Sequence, residues 1–384
     1  MIATSICWLL FVLGLAAACV LAGNSLLLAL LITLLALPLL LSLLNVLGRR
    51  RLKLKLICPV NQGKGGEGTF RLALENASRL PLLAVSCRVE VRNRLTGSVD
   101  TLCCRTALLP RRRRELTLAL DSRWCGRISV QACRVRLYDC FWLLPVPCAQ
   151  TAAATVTVQP DTFPQTVTVT PGLDCPEDSE SYSQEKPGQD LSETFQIREY
   201  RPGDSIRQMH WKLTQKLDRP IVRDPSLPIT RSVLLLWERT ADWAETPAEA
   251  DAQAEVLVSL ARALLDQSVQ FALAWNEPDC ARCTILEIRD MDDLIGALPR
   301  LLSAAAQTHG RSGGELFCQT APRTGFSHIV YLTRAWTPAA ALLEDVGRVT
   351  VLLCGRDADT ADLRGEAVSF DLENYGQQLQ ELCI

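Results

Sequence analysis

Hydrophobic positions set three different rhythms along the chain. Residues 1–48 are almost wholly apolar, and the first charged side chain is Arg49. Residues 52–160 alternate apolar and polar in short runs: LKLKLICPV, TFRLALENAS, LAVSCRVEVRN, ELTLALD, RISVQACRVRLYD and ATVTVQP. Alternation sends every second side chain to one face of a strand. Short runs broken by Gly, Asn, Pro and Asp therefore predict an all-β, sandwich-like module. From Ser232 the rhythm changes again. Ser232–Trp237 (SVLLLW) is a continuous apolar run, the mark of a strand buried on both faces. Pro247–Gln267 repeats apolar residues at helical spacing, with Ala254, Leu257, Val258, Ala261, Leu264 and Leu265 on one face. Strands are expected at Val269–Trp275, Thr284–Ile288, Ser327–Thr333, Arg348–Cys354 and Ala367–Phe370. Helices are expected from Asp290 to about Gln307, over Pro338–Val346 and over Asn374–Leu382. Strands alternating with helices predict a three-layer α/β domain.

The leading apolar run is about twice what one bilayer crossing needs. Gly23, Asn24 and Ser25 interrupt it with turn chemistry. The expected spans are Thr4–Ala22 and Leu26–Leu47, the second about 33 Å long at about 1.5 Å per residue. Pro38 lies inside it as a tolerated kink. A signal peptide would need a basic start and a short apolar core, and MIATSI carries no charge. Arg49, Arg50, Arg51, Lys53 and Lys55 follow the second span directly. Cations so placed stay cytoplasmic. The expectation is a two-span hairpin in the cell membrane with both termini in the cytoplasm.

Composition then narrows the function classes. The formal net charge is −2, so the whole chain lacks the basic balance of a nucleic-acid binder. Sixteen cysteines in a cytoplasmic chain are expected to remain thiols. Cys125, Cys133, Cys140 and Cys148 have strand spacing and read as small apolar residues. Cys280 and Cys283 form a single CxxC with no second pair, too little for zinc. Gly63–Gly68 feeds a strand rather than a helix, so it reads as a hairpin turn and not a phosphate loop. Arg111–Arg114 reads as a solvated turn, with contact to anionic lipid as the alternative. Residues 171–193 hold seven acids against one lysine among Pro, Gly and Ser, which predicts a linker. The expected division is 1–48 hairpin, 49–165 β module, 166–193 acidic linker, 194–230 motif and 231–384 α/β domain.

The motif spans Thr194–Asp224 and is the densest stretch of chemistry in the chain. Seven cations stand among four anions, together with Tyr200, His210 and Trp211. Thr194–Tyr200 alternates as a strand. Arg201-Pro202-Gly203-Asp204 has the residues of a type II turn. Ser205 and Gln208 form a capping box for one helix, with Ile206, Met209, Leu213 and Leu217 sharing one face. Ile221–Arg223 begins a second strand. Arg201 and Arg207 flank Asp204 at a spacing that allows charge-assisted pairing. Two readings stay open: a polar network that pins the helix, and a docking surface led by Trp211 and Lys212.

The order Arg198-Glu199-Tyr200-Arg201-Pro202-Gly203-Asp204, then Arg207, then His210-Trp211-Lys212, resembles the signature of the domain-of-unknown-function 58 family. Arg123–Arg127, Tyr138–Phe141 and Val158–Pro160 match that family's order more loosely. The resemblance implies a von Willebrand A-like α/β domain. It also implies an association with MoxR-type AAA+ ATPases and transglutaminase-like membrane proteins, and it defines no activity. A metal-binding A domain carries Asp-x-Ser-x-Ser after its first strand; here that place reads Trp237-Glu238-Arg239-Thr240-Ala241. No metal or cofactor is therefore expected. No nucleophile–base constellation is recognisable, with only His210, His309 and His328 in the chain. The expected function is a membrane-anchored cytoplasmic scaffold or adaptor for a protein partner, and the bilayer is the other surface it meets. The alternatives are a hydrolase using Asp204 with His210, and an anionic lipid or ligand binder.

Overall fold

The structure is a computed structural model. It describes residues 2–168, 182–202, 204–228, 231–240, 245–277, 282–320, 326–335, 337–355 and 366–384. The chain divides into two compact units, Met1–Pro160 and Asp161–Ile384. The boundary falls five residues ahead of the one expected at 165.

The first unit opens with helices α1 (Ile2–Ala22) and α2 (Ser25–Gly48). Gly23 adopts φ +58° and the Asn24 side chain caps α2 by accepting the Leu26 N–H, so the turn lies where the sequence places it. The segment Ser25–Arg51 is long and apolar enough to cross a membrane, while Ile6–Ala22 is a shorter apolar helix. After one 3-10 turn at Arg49–Arg51 come nine strands. They are β1 (Leu52–Ile57), β2 (Asn61–Gly63), β3 (Gly68–Asn76), β4 (Leu82–Asn93) and β5 (Val99–Leu108), then β6 (Arg113–Leu120), β7 (Gly126–Tyr138), β8 (Val146–Cys148) and β9 (Ala152–Gln159). One sheet has the order β1-β3-β6 and the other β2-β9-β7-β4-β5, with β8 added beside β7. Alternate residues such as Leu72, Leu74, Val89, Val91, Val130 and Val156 bury between the two sheets.

Two details differ from expectation. Strand β5 (VDTLCCRTAL) is absent from the sequence reading because its inward positions are few and its outer face is polar. The Gly63–Gly68 turn joins β2 to β3, which lie in different sheets, so it is a crossover between sheets rather than a hairpin. All fourteen cysteines among the described residues are free; Cys125 is buried and Cys133 and Cys148 half-buried as small apolar residues, whereas Cys140 is exposed.

The second unit begins with β10 (Thr166–Thr168) and the long β11 (Tyr182–Glu199), then α3 (Trp211–Leu217), β12 (Ile221–Pro228) and β13 (Arg231–Trp237). There follow α4 (Pro247–Asp266), β14 (Phe271–Asn276), β15 (Cys283–Ile288), α5 (Met291–Leu301), α6 (Gly313–Thr320) and β16 (Phe326–Thr333). The chain ends with α7 (Ala339–Glu344), β17 (Arg348–Cys354), β18 (Glu366–Phe370), α8 (Tyr375–Gln378) and β19 (Glu381–Cys383). The central sheet has the order β15-β14-β13-β16-β17-β18, parallel except for β15 at one edge. Strands β13, β14, β16 and β17 bury both faces between helices, which is why each is a continuous apolar run. Thr246 and Glu249 make the capping box that starts α4.

The expected acidic linker needs correction. Its first residues form β10, which pairs in parallel with β19, and residues 182–193 belong to β11, which pairs with β12. Residues 169–181 lie outside the described ones. The helix expected to run to Gln307 ends at Leu301, after Pro299 removes an N–H from its last turns. Helix α6, which opens with two glycines, is missing from the sequence reading. The expected helix over Asn374–Leu382 is one turn followed by β19.

His328 on β16 is buried and shares a 2.9 Å hydrogen bond with the Thr350 hydroxyl. Desolvation, aided by Arg348, pushes its pKa down to about 4. The unfolded chain therefore takes up a proton near pH 6.5 that the folded chain refuses until about pH 4. Stability should fall as pH drops through that window, by about 3 kcal/mol in all. Denaturant unfolding at several pH values should show this slope, and His328→Gln should flatten it.

Candidate functional site

The motif is built on two antiparallel strands. Gln196 pairs with Asp224, Ile197 with Arg223, Arg198 with Val222 and Glu199 with Ile221. Period-two alternation puts Gln196 and Arg198 on one face, where both reach Asp224. Gln196 Nε2 donates to Asp224 Oδ2 at 3.0 Å. Arg198 Nε donates to both Asp224 oxygens at 3.2 and 2.9 Å. The far end of the same guanidinium grips Asp204, Nη1 to Oδ2 at 2.8 Å and Nη2 to Oδ1 at 2.9 Å. The Arg201 N–H adds a 2.7 Å bond to Asp204 Oδ2, closing the turn. One planar cation thus holds two carboxylates in bidentate contact. The Arg198 hydrogen bonds hold the Asp204 carboxyl down at about 2, with help from the Arg201 N–H. Asp224 is lowered first by the same arginine.

This corrects the expected pairing. Asp204 is held by Arg198, six residues upstream, and not by the guanidinium of Arg201 or Arg207. The expected single helix is also corrected. Ser205 accepts from the Arg207 N–H and caps only a 3-10 turn over Ile206–Gln208. Met209 then bridges to Val222, and the His210 N–H donates to Ile221 O at 2.8 Å. His210 Nδ1 accepts from the Leu213 N–H and starts the seven-residue α3. Asp218, in left-handed geometry at φ +53°, stops it. The Thr214 hydroxyl receives the Ile221 N–H at 3.0 Å and ties α3 to β12. No residue of α3 is buried.

The other predicted residues divide by exposure. Glu199 pairs with Arg219 at 3.0 Å in the open, a contact of little energetic weight. The Tyr200 N–H donates to Pro220 O, and its ring is partly exposed. Gly203 lies outside the described residues. Arg201, Arg207 and Lys212 are exposed, as are Lys216 and Arg223, and none has an ion pair among the described residues. Beside them stand Ile206, 70% exposed, Trp211, 62% exposed, and Leu217, 52% exposed. The sequence reading missed Asp224 and Gln196 as clamp partners. Alternation within β11 was the available signal, since it puts Gln196 and Arg198 on one face.

A second polar cluster sits at the carboxyl ends of β13, β14 and β16, where a doubly wound sheet reverses direction and ligands usually bind. Glu238 is buried there. Its carboxylate accepts the Gly313 N–H at 2.8 and 2.7 Å, the Thr240 N–H at 2.9 Å and the Tyr331 hydroxyl at 2.7 Å. A side chain at Gly313 would stand 3.3 Å from both Glu238 oxygens, so the glycine allows this approach. Arg239 is also buried. Its guanidinium pairs bidentately with Glu245 at 3.0 and 2.8 Å, donates to Ala304 O, and lies 4.3 Å from the Trp237 ring centre. Asn276 joins by accepting the Arg239 N–H. Every oxygen of Glu238 is already engaged. Among the described residues no group of three or more His, Cys, Asp or Glu could hold a metal ion. Cys280 lies outside the described residues, and burial pushes the Cys283 thiol up to about 12.

Two outcomes follow. Arg198→Ala should free two carboxylates and loosen the turn, so that proteolysis within 196–224 rises while the sheet of the same unit keeps its melting point. Glu238→Ala should strand the Gly313 and Thr240 N–H groups and the Tyr331 hydroxyl. It should cost about 3 kcal/mol or more of unfolding free energy, read by denaturant titration.

Comparison with known proteins gives solved structures and one family model. Solved structures that align include the CARDB domain of a Pyrococcus furiosus protein, at 17% identity over 28% of this chain and 91% of that one, TM-score 0.22. They also include the alkylpurine DNA glycosylase AlkC of Pseudomonas fluorescens, at 12% identity over 28% of this chain and 31% of that one, TM-score 0.21. A PapD-like domain of human CEP192 aligns at 11% identity over 28% of this chain and 84% of that one, TM-score 0.19. At such scores none bears on fold or function. No curated protein matches the chain. Residues 196–270, which run from the Arg198 clamp through the basic turn and β13 to the end of α4, match the family described as protein of unknown function DUF58, and over this segment the chain is DUF58-like.

Proposed function

We propose that the chain is a membrane-anchored cytoplasmic scaffold whose motif docks a protein partner. In this reading α1 and α2 form a two-span hairpin with both termini in the cytoplasm, and the α/β unit is von Willebrand A-like. Support for the hairpin comes from the absence of charge before Arg49 and the cations that follow it. Support for the A-like reading comes from the six-stranded sheet with its antiparallel edge. In that reading the place of the metal motif is taken by Glu238 and Arg239, both already paired, so ligand capture through a divalent cation is not the activity.

One observation carries the docking reading. Trp211, Ile206 and Leu217 are exposed close in sequence to five cations that have no ion pair among the described residues, just after the turn that Arg198 holds. Exposed tryptophan and arginine on a preorganised frame are what interface hot spots are made of. The resemblance of the motif suggests a MoxR-type AAA+ ATPase or a transglutaminase-like membrane protein as the partner. The hydrolase alternative has less to stand on: Asp204 is spent on Arg198, and His210 caps α3 through its ring nitrogen.

Affinity purification from detergent-solubilised membranes tests the reading. An AAA+ ATPase or a membrane protein should co-purify with the chain. Trp211→Ala should weaken that association about 30-fold, the weight of a hot spot, without changing the melting temperature. If no such protein co-purifies, or if Trp211→Ala and Arg207→Ala leave every partner in place, docking through this turn is wrong.

A further inference from the structure

The exit of α2 and the loops around it form a rim with a chemistry of its own, separate from the motif. Gly48 closes α2 directly on the sandwich; a side chain there would stand 3.0 Å from Leu82 Cδ2 and 3.9 Å from Ser78 Oγ. One 3-10 turn later β1 begins, so helix and sheet are joined without slack. The loop after β3 meets this exit through the Ala77 N–H, which donates to Arg51 O at 3.0 Å. The loop after β5 joins it through the Arg111 N–H, 3.1 Å from Ser78 O, and Asn76 Nδ2 binds Leu80 O and Leu109 O and so stitches the two loops together. Strand β8, with the loop that leads into it, completes the rim. Arg49 Nη1 donates to Pro147 O at 3.4 Å and Cys148 Sγ donates to Arg49 O at 3.4 Å.

The charge of this rim is one-sided. The exit turn, loops 77–81, 109–112 and 139–145 and strand β8 contain Arg49, Arg50, Arg51, Arg79, Arg111 and Arg112 against one acid, Asp139. That acid is buried and its carboxylate is spent on the N–H groups of Phe141, Leu143 and Leu144. Arg50, Arg51, Arg79, Arg111 and Arg112 are exposed and have no ion pair among the described residues. Leu109, at 67%, and Leu144 are exposed apolar residues on the same loops.

We propose that this rim binds anionic lipid headgroups, with the arginines on the phosphates and Leu109 and Leu144 at the acyl boundary. The proposal rests on the anchoring of α2 in a bilayer. Continuity then selects the occupant. Leu43 and Leu47 are exposed in the last turns of α2, so hydrocarbon must reach that level. The layer beyond it, about 5–8 Å deep, is headgroup. Guanidinium groups at that depth meet phosphate as a bidentate partner. Each arginine near an anionic surface is worth about a fivefold preference.

The test uses the full chain. It is reconstituted in nanodiscs of phosphatidylcholine alone and of phosphatidylcholine with phosphatidylglycerol, and amide exchange is followed by mass spectrometry. Exchange in segments 77–81 and 109–112 should be about fivefold slower or more in the anionic discs, and Arg79→Gln/Arg111→Gln/Arg112→Gln should abolish the difference. The wild-type comparison stands even if the variant folds poorly. Equal exchange in both discs, with the chain resistant to carbonate extraction, overturns the rim proposal alone. Extraction by carbonate overturns the anchoring and the rim together.

Discussion

A helix that leaves Leu28, Leu30, Ile32, Leu35, Leu39 and Leu40 uncovered imposes the first constraint on this chain. Apolar area in water costs about 25 cal/mol per Å², and α2 exposes leucine on nearly every face. No polar face exists to turn outward, and the segment is long and apolar enough to cross a membrane. The way α2 ends follows from the same constraint. Its last buried residues, Asn45 and Gly48, turn to protein, and the chain enters β1 after a single turn. A flexible linker would let the sandwich tumble. Gly48 against Leu82 fixes instead which loops face the level of the helix end. That geometry makes the one-sided charge of those loops informative, since arginines spread over a freely moving surface would read as solubility.

Arg198 imposes a second, local constraint on the motif. Its guanidinium is shared by Asp204 and Asp224, so two of the four acids between Thr194 and Asp224 are consumed by one cation. Glu199 takes Arg219. These pairs join residues on both sides of α3, and among the described residues Arg201, Arg207, Lys212, Lys216 and Arg223 have no ion pair. A sequence that looks nearly balanced becomes, once folded, a basic surface over a neutralised base. The weight of the clamp is geometric more than energetic. A partly exposed pair contributes modestly to stability, yet it holds the turn that leads into the 3-10 turn and α3, where Ile206, Trp211 and Leu217 are exposed.

Legibility in the sequence tracked periodicity and failed where long-range partners decide. The two apolar helices, the strand Arg348–Cys354 and the start of α4 at Pro247 are where alternation, continuous apolarity and capping chemistry place them. Strand β5 was invisible because alternation identifies a strand only when its inner face is apolar throughout, and Val99–Leu108 buries few residues. Helix α6 was invisible because Gly313 and Gly314 open it, and glycine reads as a breaker until the carboxylate lodged against its backbone is known. In the motif the residue types were legible and the pairing was not. Asp204 has Arg201 and Arg207 within three residues, and sequence distance favours them. The strand pairing instead carries Arg198 across to Asp224 and leaves its far end facing Asp204. The helix broke for a similar reason. A continuous helix from Ser205 would have buried Ile206, Met209, Leu213 and Leu217 against something, and β12 offers only a bridge at Met209 and a hydroxyl bond at Thr214.

The crevice of the α/β sheet decides where function is to be sought. Open sheets of this kind bind ligands beyond the carboxyl ends of their strands, at the point where the winding reverses. Here that point lies between β13 and β16, and among the described residues the side chains of Glu238, Arg239 and Tyr331 occupy it. Glu238 plugs the N-terminus of α6, where an anion would otherwise sit. Arg239 fills the neighbouring space with its own counter-ion, Glu245, and a tryptophan face. A substrate would have to displace several charge-assisted hydrogen bonds, each worth about 1.5–3 kcal/mol, before making any contact of its own. A metal would need oxygens that are committed elsewhere. Among the described residues, the segment that follows the turn held by Arg198 carries exposed aromatic and aliphatic side chains, Trp211, Ile206 and Leu217, close in sequence to exposed cations.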